Sequence, residues 1–311
     1  MSRKKLTGLD PSEYEHPLDK AALEKLEAIP GVKTILKKLH EVWFEKISYI
    51  DNAGSSLVVT EENLPKIHNL LLEACSILDI QKIPPVYIQN DGTYSINAYT
   101  SGIHTPYIVI NTHSIEALDD LELLALIGHE LGHIKSGHVL YYSIGSMLGG
   151  SLVDLLNSFT LGLGGIPATT IAVALNYWRR MSEFTADRAS LLVTQDFKAC
   201  VRLEMKTAGL PLGADINKFE ESFLDQAREY KDFDLESINK VMKVYLTLDR
   251  THPWTVLRAA EYVKWIESGE YQKIIDNLDR SCNNSQLENC PNCDLKIEPH
   301  FKFCKYCGYE L

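Results

Sequence analysis

The chain has no basic excess, no internal repeat and no long unbroken apolar run, and each lack closes off a class of protein. Lys and Arg number 31 against 42 Asp and Glu, for a formal net charge of −11. A surface that grips nucleic acid needs the opposite imbalance to neutralise phosphates, so no nucleic-acid partner is expected. The charged start Met1-Ser2-Arg3-Lys4-Lys5 has no apolar stretch behind it. It does not read as a secretory signal, and a cytoplasmic protein is expected. Residues 139–176 contain no Lys or Arg and one acid, Asp154. Gly149-Gly150, Asp154, Asn157, Gly164-Gly165 and Pro167 interrupt the stretch, so neither half offers the roughly 20 apolar residues of a spanning helix. Buried or interfacial helices are the preferred reading, and membrane association through 139–176 is the alternative, because Gly and Pro are tolerated in membrane helices.

What is present suffices for a large core: 45% of 311 residues are apolar. The pattern predicts a mainly α fold with a small β-sheet, of the α+β class. Residues 1–80 form an N-terminal helical region, with Leu23, Leu26, Ile29, Ile67, Leu70, Leu71 and Leu72 at helical spacing. Residues 81–280 form the main domain, 281–287 a polar linker and 288–311 a small C-terminal module. Within the main domain, 84–88 and 107–110 read as strands and 97–102 as a hairpin or edge strand. From Asp119 or Asp120, either of which can cap a helix, the pattern turns helical, and amphipathic helices continue to about residue 278.

On the helix after Asp119 stands His129-Glu130-Leu131-Gly132-His133. Residues i and i+4 share a helix face, so both imidazoles can reach one ion while Glu130 is turned to its side. Zinc with three protein ligands leaves a place for water and brings its pKa to roughly 7, and an adjacent carboxylate can take the proton as that water attacks a carbonyl. This pattern predicts His129 and His133 as ligands and Glu130 as general base. Gly132 leaves room for another element to approach closely. The third ligand must come from elsewhere. On an unbroken helix His138 lies about 140° round from His133, at 100° per residue, and cannot share the ion. Glu183 is the stronger candidate: with Asp187 it makes a second i,i+4 pair, one carboxylate for the metal and one to hydrogen-bond a ligand histidine. The apolar neighbours Phe184, Ala186, Ala189, Leu191 and Leu192 make a merely solvated acidic face an expensive alternative.

Asn97-Ala98-Tyr99, Ile127-Gly128-His129-Glu130-Leu131-Gly132-His133 with His138, Arg180-x-x-Glu183-x-x-x-Asp187, and Thr251-His252-Pro253 with Arg258 occur in that order. The set resembles the gluzincin metallopeptidases that include the HtpX-like heat-shock proteases and the CAAX prenyl proteases, over roughly residues 80–265. The resemblance implies a catalytic zinc on His129, His133 and Glu183, Glu130 as base, and Asp187 and Arg180 behind the ligands. It also implies that His252 aids the oxyanion or the site's architecture, and that Asn97 and Ala98 pair with an extended substrate as an added strand. The spanning helices of the membrane members have no clear counterpart here.

Cys290-Pro291-Asn292-Cys293 and Cys304-Lys305-Tyr306-Cys307 are two C-x-x-C knuckles, and the other cysteines, Cys75, Cys200 and Cys282, are scattered. Four reduced thiolates at this spacing predict a tetrahedral structural zinc, and the module resembles a zinc ribbon. So small a unit needs the metal to fold. From Glu288 to Leu311 there are four acids and three bases, while Phe301, Phe303, Tyr306 and Tyr309 offer apolar surface. A protein partner is therefore expected at the ribbon. Together these features predict a zinc-dependent endopeptidase acting on protein or extended peptide substrates, with one catalytic and one structural zinc. The rival reading is a catalytically silent zinc-binding scaffold or chaperone-like adaptor, which would need no base at Glu130.

Overall fold

The computed structural model describes residues 3–30, 32, 54–102, 105–146, 168–231, 253–277, 288–291 and 296–297. Helix α1 (Pro17–Glu27) follows a short 3-10 turn, Pro11–Glu13. After β1 (Leu57–Val58) and α2 (Pro65–Ile77) come β2 (Val86–Gln89), β3 (Ala98–Ser101) and β4 (Tyr107–Asn111). Six helices then lead through the site: α3 (Thr112–Ala117), α4 (Asp120–Lys135), α5 (Val139–Ser146), α6 (Ala168–Thr194), α7 (Phe197–Thr207) and α8 (Ile216–Lys231). The chain closes with α9 (Thr255–Glu267), α10 (Glu270–Asp276), β5 (Glu288–Asn289) and β6 (Lys296–Ile297).

The main sheet runs β1-β2-β4-β3, with β2 and β4 parallel and both outer pairs antiparallel. The strands expected at 84–88 and 107–110 are β2 and β4, and the expected edge segment is β3. The N-terminal region also contains a strand: the apolar, β-branched run at Leu57-Val58 pairs with Tyr87 and Ile88. One core joins the sheet to the helices. Val86, Ile108 and Ile110 pack with Leu71 of α2, Leu124 and Ile127 of α4 and Leu192 of α6. Leu6, Leu9 and Tyr14 complete it from the N-terminus.

Helix α4 begins where the Asp119 carboxylate accepts the N–H groups of Leu121 and Glu122, while the Glu122 carboxylate accepts that of Asp119. Every residue from Glu122 to His133 is buried, so α4 runs through the interior rather than over it. Of the stretch 139–176, residues 147–167 lie outside the described residues; α5 and the start of α6 flank them. Among the described residues, no helix is long and apolar enough to cross a membrane.

Candidate functional site

The site forms where α4 crosses α6, and two glycines set how closely they cross. A Cβ on Gly132 would stand 2.7 Å from the Ala189 Cβ and 3.0 Å from the Ala186 Cα, and one on Gly128 would stand 2.9 Å from the Val193 Cβ. Small residues on both helices let the backbones approach until the side chains between them meet. Ser190 Oγ, on the same face of α6, donates to the Ala125 carbonyl at 2.8 Å. Gly132→Ala is therefore expected to lose about 1–3 kcal/mol in urea unfolding through overpacking, and to weaken metal retention as the helices part. Wild-type stability in that variant would show that the crossing is looser than described.

At the crossing, His129 Nε2 and His133 Nε2 lie 3.2 Å apart. The Glu183 carboxylate is 3.4 Å from the first and 3.5 Å from the second. All three side chains are buried. Two ring nitrogens that face each other with a carboxylate between them make a poor hydrogen-bonding triad but a good chelate. Bonds of about 2.05 Å to a tetrahedral zinc put ligand atoms about 3.3 Å apart, so the donor set fits zinc. Its electrostatics agree. Burial lowers His133 to about 3, outweighing Glu183. For His129 burial acts the same way, but the Asp187 and Glu183 carboxylates push it up to about 10. Of the two rings, His129 is the one held protonated, and metal binding would release that proton.

Each histidine is held from behind. His129 Nδ1 is 3.0 Å from Asp187 Oδ1. Arg258 of α9 forks onto Asp187, with Nε donating to Oδ2 at 2.9 Å and Nη2 to Oδ1. Its Nη2 also lies 3.1 Å from Glu204 Oε1 on α7. Burial alone would raise the Asp187 carboxyl, but Arg258 and His129 outweigh it and hold it below the usual range. Glu204 goes the other way, raised by burial that Arg258 only partly offsets. On the other side, His133 Nδ1 is 2.9 Å from His138 Nδ1. His138 Nε2 in turn is 3.1 Å from Asp19 Oδ2 on α1. The Thr185 hydroxyl donates to that same oxygen at 2.6 Å. His138 can make this contact because α4 ends at Lys135, with Ser136 as its cap, and Gly137 takes a φ of 74°. The break that metal sharing would have required does occur, and it turns His138 toward the outer nitrogen of His133 instead.

Two further contacts reach the site from flanking elements. Thr100 Oγ1 of β3 donates to Glu130 Oε2 at 2.7 Å. The Tyr142 hydroxyl of α5 donates to Glu183 Oε1 and lies 3.2 Å from Ser182 Oγ. Burial and the Glu183 charge raise the Tyr142 phenol well above its usual value, which keeps it a donor. Sequence reading missed Thr100, Tyr142 and Asp19, and passed over the supporting role of His138. The arginine on Asp187 is Arg258; Arg180, three residues before Glu183 on α6, is buried.

Asn97 precedes β3, and its own N–H and C=O are turned inward: the N–H meets Ser114 Oγ at 2.8 Å, and the C=O accepts from Asn111 N–H at 3.0 Å. By the strand's alternation, the outward-facing backbone groups belong to Ala98 and Thr100. His252 lies outside the described residues, as do Cys293, Cys304 and Cys307. Cys290 is buried, directly after β5, which pairs antiparallel with β6.

A histidine pair on one buried helix and a glutamate on the helix crossing it define a gluzincin-type metallopeptidase. The description of peptidase family M48 matches residues 61–266, and the chain belongs to that family as a zinc metallopeptidase. It is 36% identical over 276 residues to the plastoglobule-localized metallopeptidase 48, chloroplastic, of Arabidopsis thaliana, covering 88% of this chain and 77% of that one. It is 25% identical over 175 residues to protease HtpX homolog 2 of Methanosarcina acetivorans, covering 49% of this chain and 58% of the relative. A protease HtpX homolog of Bacteroides fragilis is 36% identical over 107 residues, 32% of each chain. The chain thus spans less than two thirds of these HtpX relatives. No solved structure matches.

Proposed function

We propose that this peptidase is an endopeptidase for unfolded or extended protein segments, with His129, His133 and Glu183 as its zinc ligands and Glu130 as its general base. The observation that carries this reading is the convergence of two Nε2 atoms 3.2 Å apart on the Glu183 carboxylate. Zinc held there supplies a Lewis acid and lowers the pKa of water to roughly 7. Glu130, steadied by Thr100 on one oxygen, takes the proton from the attacking water and delivers it to the leaving amine. Asp187 accepts a hydrogen bond from His129 Nδ1–H, which keeps that proton on Nδ1 and leaves the Nε2 lone pair for the metal. The substrate pairs as an added strand with the outward backbone groups of Ala98 and Thr100, which brings its scissile bond beside Glu130.

A second, structural zinc on Cys290, Cys293, Cys304 and Cys307 is part of the proposal, as is a protein partner on that module. Its support is the β5–β6 pairing of Glu288 with Ile297 and Asn289 with Lys296. The two paired strands stand on either side of the first C-x-x-C in the sequence. Metal analysis of the full chain tests both sites. Two zinc ions are expected in the wild type and one in Cys290→Ser, with cleavage of a casein-type substrate lost on chelation and restored by zinc. A single zinc in the wild type would eliminate one of the sites.

A further inference from the structure

We propose that Asp19 is a positioning residue of the metal centre: acting through His138, its carboxylate fixes His133 in the tautomer that turns a lone pair toward the ion. This rests on the ligand assignment just given. Asp19 belongs to α1, well before the residues 61–266 matched to the family.

Protons can be placed along the relay from its acidic end. An ionised carboxylate only accepts, so the proton across the 3.1 Å contact resides on His138 Nε2. A neutral imidazole with hydrogen on Nε2 has a lone pair on Nδ1. With His138 in that neutral form, the proton in the 2.9 Å contact between the two rings belongs to His133 Nδ1. His133 Nε2 is left bare, facing His129 Nε2 and Glu183. Asp187 does the same for His129 in one step. Each ligand ring is thus backed by a carboxylate, one directly and one through a second imidazole. Without Asp19, His138 is free to carry its proton on Nδ1 and donate it to His133. The His133 proton then moves to Nε2, where it competes with the metal.

Docking of α1 does not account for Asp19. Desolvating a carboxylate typically costs several kcal/mol, and an apolar residue would pack at that place without the cost. The segment also has other anchors. His16 N–H donates to Thr185 Oγ1 at 3.0 Å, and His16 Nε2 lies 3.0 Å from Glu261 Oε2. Arg188 Nη1 donates to the Glu15 carbonyl at 3.1 Å, and the Tyr14 hydroxyl lies 3.0 Å from Ser136 Oγ.

The test uses the full chain and two readouts that do not depend on activity: zinc affinity by chelator competition, and the visible spectrum of the cobalt-substituted protein, where a nitrogen–oxygen site lacks the thiolate charge-transfer bands of a cysteine site. Asp19→Ala and His138→Ala should each weaken the nitrogen–oxygen site by about 10–100-fold and shift its cobalt bands. The double variant should be no weaker than His138→Ala alone, since both substitutions cut one relay. Asp19→Asn, close in shape and still able to accept from His138, should bind more tightly than Asp19→Ala. His16→Ala, which loosens the same segment without touching the relay, should keep wild-type affinity and spectrum. Unchanged affinity in a folded Asp19→Ala protein, or additive losses in the double variant, would overturn the proposal. A wild-type chain with no nitrogen–oxygen cobalt site would instead overturn the ligand assignment beneath it.

Discussion

Glu130→Gln is expected to keep two zinc ions per chain while kcat/KM on a casein-type substrate falls by about 10²–10⁴-fold. Glutamine preserves the shape of the side chain, and its carbonyl oxygen still accepts from Thr100 Oγ1. It cannot take a proton from water. Glu130 is not among the three converging donors, so the metal count should not change. Undiminished cleavage would place the base elsewhere, and loss of zinc would make Glu130 part of the metal's support. A wild-type protein that cleaves nothing while binding both metals would favour the silent scaffold.

Arg258→Ala should be the most destabilising single change near the site. It strips the guanidinium that forks onto Asp187 and leaves Glu204 facing it across the same buried space. Removing one partner of a buried pair costs about 3–5 kcal/mol, because the remaining charge has neither water nor a counter-ion. Zinc affinity should fall as well, since an Asp187 that becomes protonated no longer orients His129. Adding Glu204→Gln should recover part of the lost stability but not the affinity. Glu204 is already biased toward its neutral form by burial, so Glu204→Gln in the wild type should be mild. Urea unfolding with zinc competition checks all three variants. An Arg258→Ala protein within about 1 kcal/mol of wild type would mean that Asp187 finds another partner.

The residues that could be read in advance are those whose partners lie within one helix or are forced by the metal's needs. The i,i+4 spacing of His129 with His133, and of Glu183 with Asp187, is local, and two such pairs have few ways to serve one ion. Strands β2 and β4 were legible from their apolar runs. Thr100 and Tyr142 carry no pattern that distinguishes them from other edge-strand or helical residues. Their roles depend on how β3 and α5 fold back on α4 and α6. His138 was set aside as a ligand, and it is not among the converging donors; its place behind His133 was hidden because the 100° rule holds only while the helix continues, and Gly137 ends that condition with its φ of 74°. Asp19 was out of reach altogether, since nothing near Leu18-Asp19-Lys20 hints at a histidine more than a hundred positions later.

The supports of the His129 and His133 rings stretch from Asp19 on α1 to Arg258 on α9. During synthesis the two helices with the ligands are made long before the arginine that balances Asp187 and Glu204. A nascent chain stopped short of residue 258 has the HExxH helix but two buried acids without their cation, and the site it offers zinc is not yet the finished one. A chain truncated before residue 258 is therefore expected to hold zinc less tightly than the full chain.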